Sequence, residues 1–151
     1  MRIVVEDVTA ADLIELLTRH LAEMRAHSPE ESAHALDPAG LREPGVTVWS
    51  LRDGDTLAGC GALREIDPEH GEIKAMRTAA RFRGRGVGAT MLGHLVATAR
   101  ERGYRRLSLE TGAGEFFSPA RRLYERHGFR PCAPFAEYVP DPHSVFLTLA
   151  L

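Results

Sequence analysis

Cysteine and tryptophan are almost missing from this chain, with two and one respectively in 151 residues. Cys60 and Cys132 share no motif spacing and are too few for a disulfide scaffold or a structural zinc site, so no metal is expected. No apolar run approaches the ~20 residues that span a bilayer, and no membrane role is expected. The opening MRIVVEDVTA carries acids early and lacks an apolar stretch ending in a cleavage site, so no secretory leader is expected either. A dominant charge is lacking too. Nineteen basic side chains against 21 acidic ones give a net charge of −2, with no general attraction for nucleic acid or anionic lipid. That balance argues against a nucleic-acid surface built on Arg81, Arg83, Arg85, Arg121 and Arg122. Repeats, linkers and low-complexity tracts are absent. The expected compartment is the cytoplasm.

What remains is the composition of an ordinary globular domain, 44% hydrophobic and 26% charged, read as a single domain over 1–151. Arg2 to Glu6 reads as a strand. Leu13, Leu16, Leu17, Leu21 and Met24 repeat at helical spacing within Thr9 to Arg25. The polar, proline-punctuated 26–45 suggests a short helix inside a loop. Val46 to Leu51 and Thr56 to Ile66 read as strands joined by a turn at Asp53-Gly54-Asp55. Glu72 to Thr78 is a further strand. A helix follows with Val87, Met91, Leu92, Leu95, Val96 and Ala99 on one side and Gly103 as its stop. A strand at Arg105 to Thr111, a helix from about Ser118 to Arg126 and a strand at Val145 to Leu151 complete the chain. The order strand–loop–helix–strand in the middle favours a parallel pairing, hence an α/β fold with a mixed sheet.

Between the fourth strand and the second long helix lies RFRGRGVG, three arginines and three glycines in eight residues. The first amides of a helix have no intrahelical partner, and the helix dipole places partial positive charge there. Gly84, Gly86 and Gly88 would let an anion approach that backbone, and a phosphate or pyrophosphate is the natural guest. The nucleoside-triphosphate pattern GxxxxGK[ST] is absent, since the loop holds no lysine. A dinucleotide site would need its glycines after the first strand, which is not where these sit.

Arg83-Gly84-Arg85-Gly86-Val87-Gly88 resembles the R/Q-x-x-G-x-G/A motif of the GNAT acetyltransferase superfamily. Ala120, Leu123, Tyr124, Gly128 and Phe129 form a second element of that superfamily, A-x-x-L-Y-x-x-x-G-F, one helix and one strand later. HALD at His34–Asp37, EIKAMRT at Glu72–Thr78, LSLETG at Leu107–Gly112 and the tail Cys132 to Tyr138 look like a subgroup of small bacterial members.

The resemblance implies the acyl-CoA N-acyltransferase fold: a central mixed sheet, flanked by helices, whose two parallel strands splay to admit acetyl-CoA. It implies that backbone amides of Arg83, Gly84, Arg85, Gly86, Val87 and Gly88 hold the pyrophosphate, with guanidinium support from Arg83 and Arg85. Met76 and Thr78 would pair with the pantetheine arm through their main chain. Tyr124 matches the residue that protonates the departing thiolate, a role a phenol suits because it stays protonated at neutral pH. The superfamily often has an asparagine seven residues before that tyrosine. Here Phe117 stands in its place, so the contact is lost or passes to Ser118.

Acetyl transfer to an amine needs a proton removed from the ammonium. Glu72 is the candidate base, and Glu110 is its rival and a candidate for binding the acceptor amine. Strand alternation would put Glu72, Lys74, Met76 and Thr78 on one face and Ile73, Ala75 and Arg77 on the other. His34 and Arg77 complete the candidate acceptor residues. Cys132 reads as a small buried apolar group. The reading favoured is an acetyl-CoA-dependent N-acetyltransferase acting on a small-molecule amine such as an amino acid. A protein amino-group acetyltransferase and a non-catalytic acyl-CoA-binding module are the alternatives, and a homodimer is left open.

Overall fold

The computed structural model describes residues 1–28 and 37–151. Its strands are β1 (Arg2–Val5), β2 (Val46–Asp53), β3 (Thr56–Asp67), β4 (His70–Thr78), β5 (Arg106–Gly112), β6 (Arg130–Pro131) and β7 (Ser144–Ala150). Its helices are α1 (Ala11–His27), α2 (Val87–Glu101) and α3 (Ser118–Arg126), with short 3-10 turns at Gly40–Arg42, Ala80–Phe82 and Glu115–Phe117. The strands form one sheet in the order β1-β2-β3-β4-β5-β7-β6. Every pairing is antiparallel except β4 with β5, the parallel pair that the strand–loop–helix–strand order implied. No described helix is long and apolar enough to cross a membrane.

Each face of the sheet carries its own core. Val87, Met91, Leu92, Leu95, Val96 and Ala99, the whole expected stripe, bury against one face together with Leu63, Ile73, Leu107 and Leu109. Burying each leucine side chain contributes roughly 1.5–3 kcal/mol. The helix comes close because β3 offers Gly61 beneath it: a Cβ there would stand 2.8 Å from Met91. On the other face Leu13 and Leu17 of α1 pack with Val48, Leu57, Cys60 and Ala62.

The strict alternation expected for β4 fails at one residue. Ala75 has φ +54, a left-handed conformation that non-glycine residues rarely adopt, and the register against β3 slips between Cys60 and Ala62. Cys60 donates its thiol to the Ala75 carbonyl at 3.2 Å. Beyond this bulge the faces exchange. Ile73 and Met76 both pack under α2, Ala75 packs under α1, and Arg77 forms an ion pair with Glu23 of α1. Glu72, Lys74 and Arg77 therefore share one face, while Met76 and Thr78 turn to the other.

Candidate active site

β4 and β5 pair only from His70, Gly71 and Glu72 against Arg106, Leu107 and Ser108. Past that point their carboxyl ends diverge, and a cavity of about 410 Å³ opens in the gap. Both faces of the sheet contribute to its wall. From the α2 side come Met76, Thr78, Leu109, Thr111, Leu123 and Tyr124; from the α1 side come His20, Met24, Glu72, Lys74, Arg77 and Glu110. The bulge at Ala75 is what sorts these residues: nearly all of the ionisable ones lie on one side.

At the mouth, α2 begins at Val87 after Gly86, whose φ of +79 is natural only to glycine. No side chain caps this helix, and its first intrahelical bond runs from the Thr90 amide to the Gly86 carbonyl. The amides of Val87, Gly88 and Ala89 are thus left for an external acceptor. Arg83 and Gly88 reach the cavity. Arg81 and Arg85 instead lie against the Phe82 ring, at 5.7 and 5.5 Å from its centroid. A second cavity of about 420 Å³, behind this turn, shares Arg77, Thr78 and Arg83 with the first and adds Arg19 and Arg81.

Tyr124 is buried in the α2-side core, its ring 5.8 Å from Phe129, and faces the cavity. Burial raises its pKa, so the hydroxyl stays protonated across the physiological range. Ser118 does not reach the cavity, where its neighbours Phe117 and Pro119 stand; its hydroxyl accepts a 2.7 Å hydrogen bond from Arg122.

Opposite Tyr124, Glu72 is 1% exposed. Its Oε2 accepts hydrogen bonds from the Tyr138 hydroxyl at 2.5 Å and from Lys74 Nζ at 3.3 Å, and Arg64 lies 3.8 Å from Oε1. Lys74 is the chain's only lysine. Glu110 differs. Burial, reinforced by the nearby carboxylates of Glu72 and Asp141 and opposed first by the Ser144 hydroxyl and then by Lys74, pushes it up to about 7. His34 lies outside the described residues.

Two residues of this site escaped the sequence reading. His20 sits in the apolar stripe of α1, three after Leu17 and four before Met24, a position where a histidine on a core-facing helix was the available signal. Tyr138 belongs to the irregular segment between β6 and β7, where no periodicity marks which side chains turn inward. Cys132, in the same segment, is only partly buried.

The profile of the Acetyltransferase (GNAT) family matches residues 11–129. The chain belongs to this family. It is 51% identical over 151 residues to the uncharacterized N-acetyltransferase YsnE of Bacillus subtilis, covering all of both chains. It is 47% identical to the uncharacterized N-acetyltransferase YedL of Escherichia coli, covering 97% of this chain and 92% of that one. A structure from Klebsiella pneumoniae classed as an acyl-CoA N-acyltransferase superposes with a TM-score of 0.80 at 30% identity, over 99% of this chain and 97% of the other. A GNAT family acetyltransferase of Elizabethkingia anophelis, solved with acetyl-CoA bound, shares the fold at a TM-score of 0.70 and 18% identity, over 99% and 97%. This GNAT protein is accordingly an acyl-CoA-dependent acetyltransferase, and its splayed central strands are those of the acyl-CoA N-acyltransferase fold.

Proposed function

We propose that this GNAT acetyltransferase moves the acetyl group of acetyl-CoA onto the primary amine of a small molecule by direct attack. The observation that carries the reading is the division of the cleft: one wall carries no carboxylate and offers the hydroxyls of Tyr124, Thr78 and Thr111 among apolar side chains, and the opposing wall carries the carboxylates. Acetyl-CoA brings the activated thioester. On the first wall the free amides of Val87, Gly88 and Ala89 and the guanidinium of Arg83 suit its diphosphate, and the main chain of Met76 and Thr78 suits its extended arm.

On the second wall Glu110 receives the ammonium. A carboxyl with a pKa about 7 is poised to take one proton, leaving a neutral amine. Glu110 suits this task better than Glu72, whose charge is already engaged by Tyr138 and Lys74. The amine nitrogen then bonds to the acyl carbon while the carbon–sulfur bond breaks. Tyr124 supplies a proton to the leaving sulfur and regains one from the nitrogen; the proton held by Glu110 goes to solvent. The chain's contribution beyond these transfers is to align both partners within one cleft.

The test is a screen that follows free thiol release over small amines, amino acids and peptides. Turnover concentrated among small amines supports the reading, whereas turnover confined to peptides would displace it.

A further inference from the structure

The bulge in β4 decides which peptide groups face the cleft, and one residue of β3 holds both of its ends. In the register against β3, Cys60 lies opposite Arg77 and Ala62 opposite Lys74, so Ala75 and Met76 together stand against Gly61 alone. β5 gives no support there, because its pairing with β4 ends at Glu72. Ala75 nonetheless keeps a φ of +54, a conformation unfavourable for alanine unless something holds it. Cys60 is that hold. Its thiol donates to the Ala75 carbonyl at 3.2 Å, and its sulfur accepts from the Arg77 amide. The side chain is buried, and burial pushes the thiol up to about 12, so it remains a donor throughout the physiological range. Met76, bracketed by these two contacts, lines the cavity together with Thr78.

We infer, on the reading above in which the main chain of Met76 and Thr78 takes the pantetheine arm, that Cys60 is a positioning residue for acetyl-CoA. By clasping Ala75 and Arg77 it keeps the left-handed turn that presents that main chain to the arm. Cys60 is not among the described residues that line the cavity, and it belongs to the core under α1 with Leu13, Leu17 and Val48. Its influence on the cofactor therefore passes through the backbone of the bulge. With alanine at this position the Ala75 carbonyl loses a buried donor, and the turn is free to relax toward ordinary strand geometry. Met76 and Thr78 then shift relative to the arm, while the amides at the start of α2 stay where they are.

The experiment measures, by isothermal titration, the affinities for CoA and for 3′-phosphoadenosine 5′-diphosphate, which is CoA without its arm. Their ratio isolates the arm from the diphosphate. In Cys60→Ala this ratio is expected to fall about tenfold or more, the scale of one lost buried hydrogen bond, with the armless nucleotide bound as before. Cys60→Ser, which keeps a donor and an acceptor, is expected to hold the ratio within about threefold of the parent. The same is expected of Cys60→Ala/Ala75→Gly, because glycine takes the left-handed turn unaided. An unchanged ratio in Cys60→Ala, or a fall that either second variant shares, overturns the inference and leaves the assignment of the arm intact. Should Cys60→Ala not fold, the double variant decides: folding with the parental ratio supports the inference, and any other result overturns it. A parent protein that binds CoA no tighter than the armless nucleotide overturns the assignment of the arm and this inference together.

Discussion

The Tyr138 hydroxyl donates a 2.5 Å hydrogen bond to Glu72 across 66 residues of chain, fastening the segment before β7 onto the central strand β4. That contact, with Lys74 on the same carboxylate oxygen, makes Glu72 a charge already spoken for. Glu72→Gln leaves Lys74 buried against an uncharged partner, and breaking such a pair costs roughly 3–5 kcal/mol. The expected outcome is a large loss of stability in urea unfolding. Glu110→Gln is expected to lower kcat about 100-fold with no such loss. A stable Glu72→Gln that is inactive would exchange the two roles.

The elevated pKa of Glu110 has opposite consequences for rate and stability. If the ionised form is the working one, kcat/KM rises with pH through about 7, and Glu110→Gln removes that step. An unfolded glutamate titrates near 4.5. Between there and about 7 the native state keeps a proton that the unfolded chain releases, so stability falls as pH rises through that window. At pH 8 Glu110→Gln should therefore exceed the parent by up to about 3 kcal/mol, with the difference gone below pH 4. Urea unfolding at pH 4 and pH 8 checks both signs.

His20 works in the reverse direction. Its ordinary value of 6.5 is lowered to about 4 by burial. As pH falls through 6.5 the unfolded chain takes up a proton the native state refuses, and stability drops down to about pH 4. His20→Leu should flatten this acid limb. In kinetics it should raise KM for the acceptor while leaving that for acetyl-CoA nearly unchanged.

Tyr124→Phe keeps the ring packed against Phe129 and removes only the hydroxyl. Turnover is expected to fall about 100-fold or more, while the melting-temperature shift produced by CoA persists. Equal turnover would take Tyr124 out of the chemistry.

Much of this was legible in the sequence because it rests on local patterns. The apolar stripe of α2 and the glycines at its start are set by helix periodicity and by helix-end chemistry, both readable over a few residues. The faces of β4 were not legible. One residue at φ +54, Ala75, inverts the alternation, and alanine gives no warning of a left-handed conformation. His20 was visible as a polar interruption in an apolar stripe, but Arg77, which acts on it, meets it only through tertiary packing. Tyr138 lies in irregular chain, where burial is decided by contacts and not by period.

The most direct measurement is a crystal structure with CoA bound. The diphosphate is predicted within hydrogen-bonding distance of the Val87, Gly88 and Ala89 amides, with the sulfur between Tyr124 and Glu110. A diphosphate seated instead among Arg19, Arg77 and Arg81 in the cavity behind the turn would contradict the assignment of the two walls.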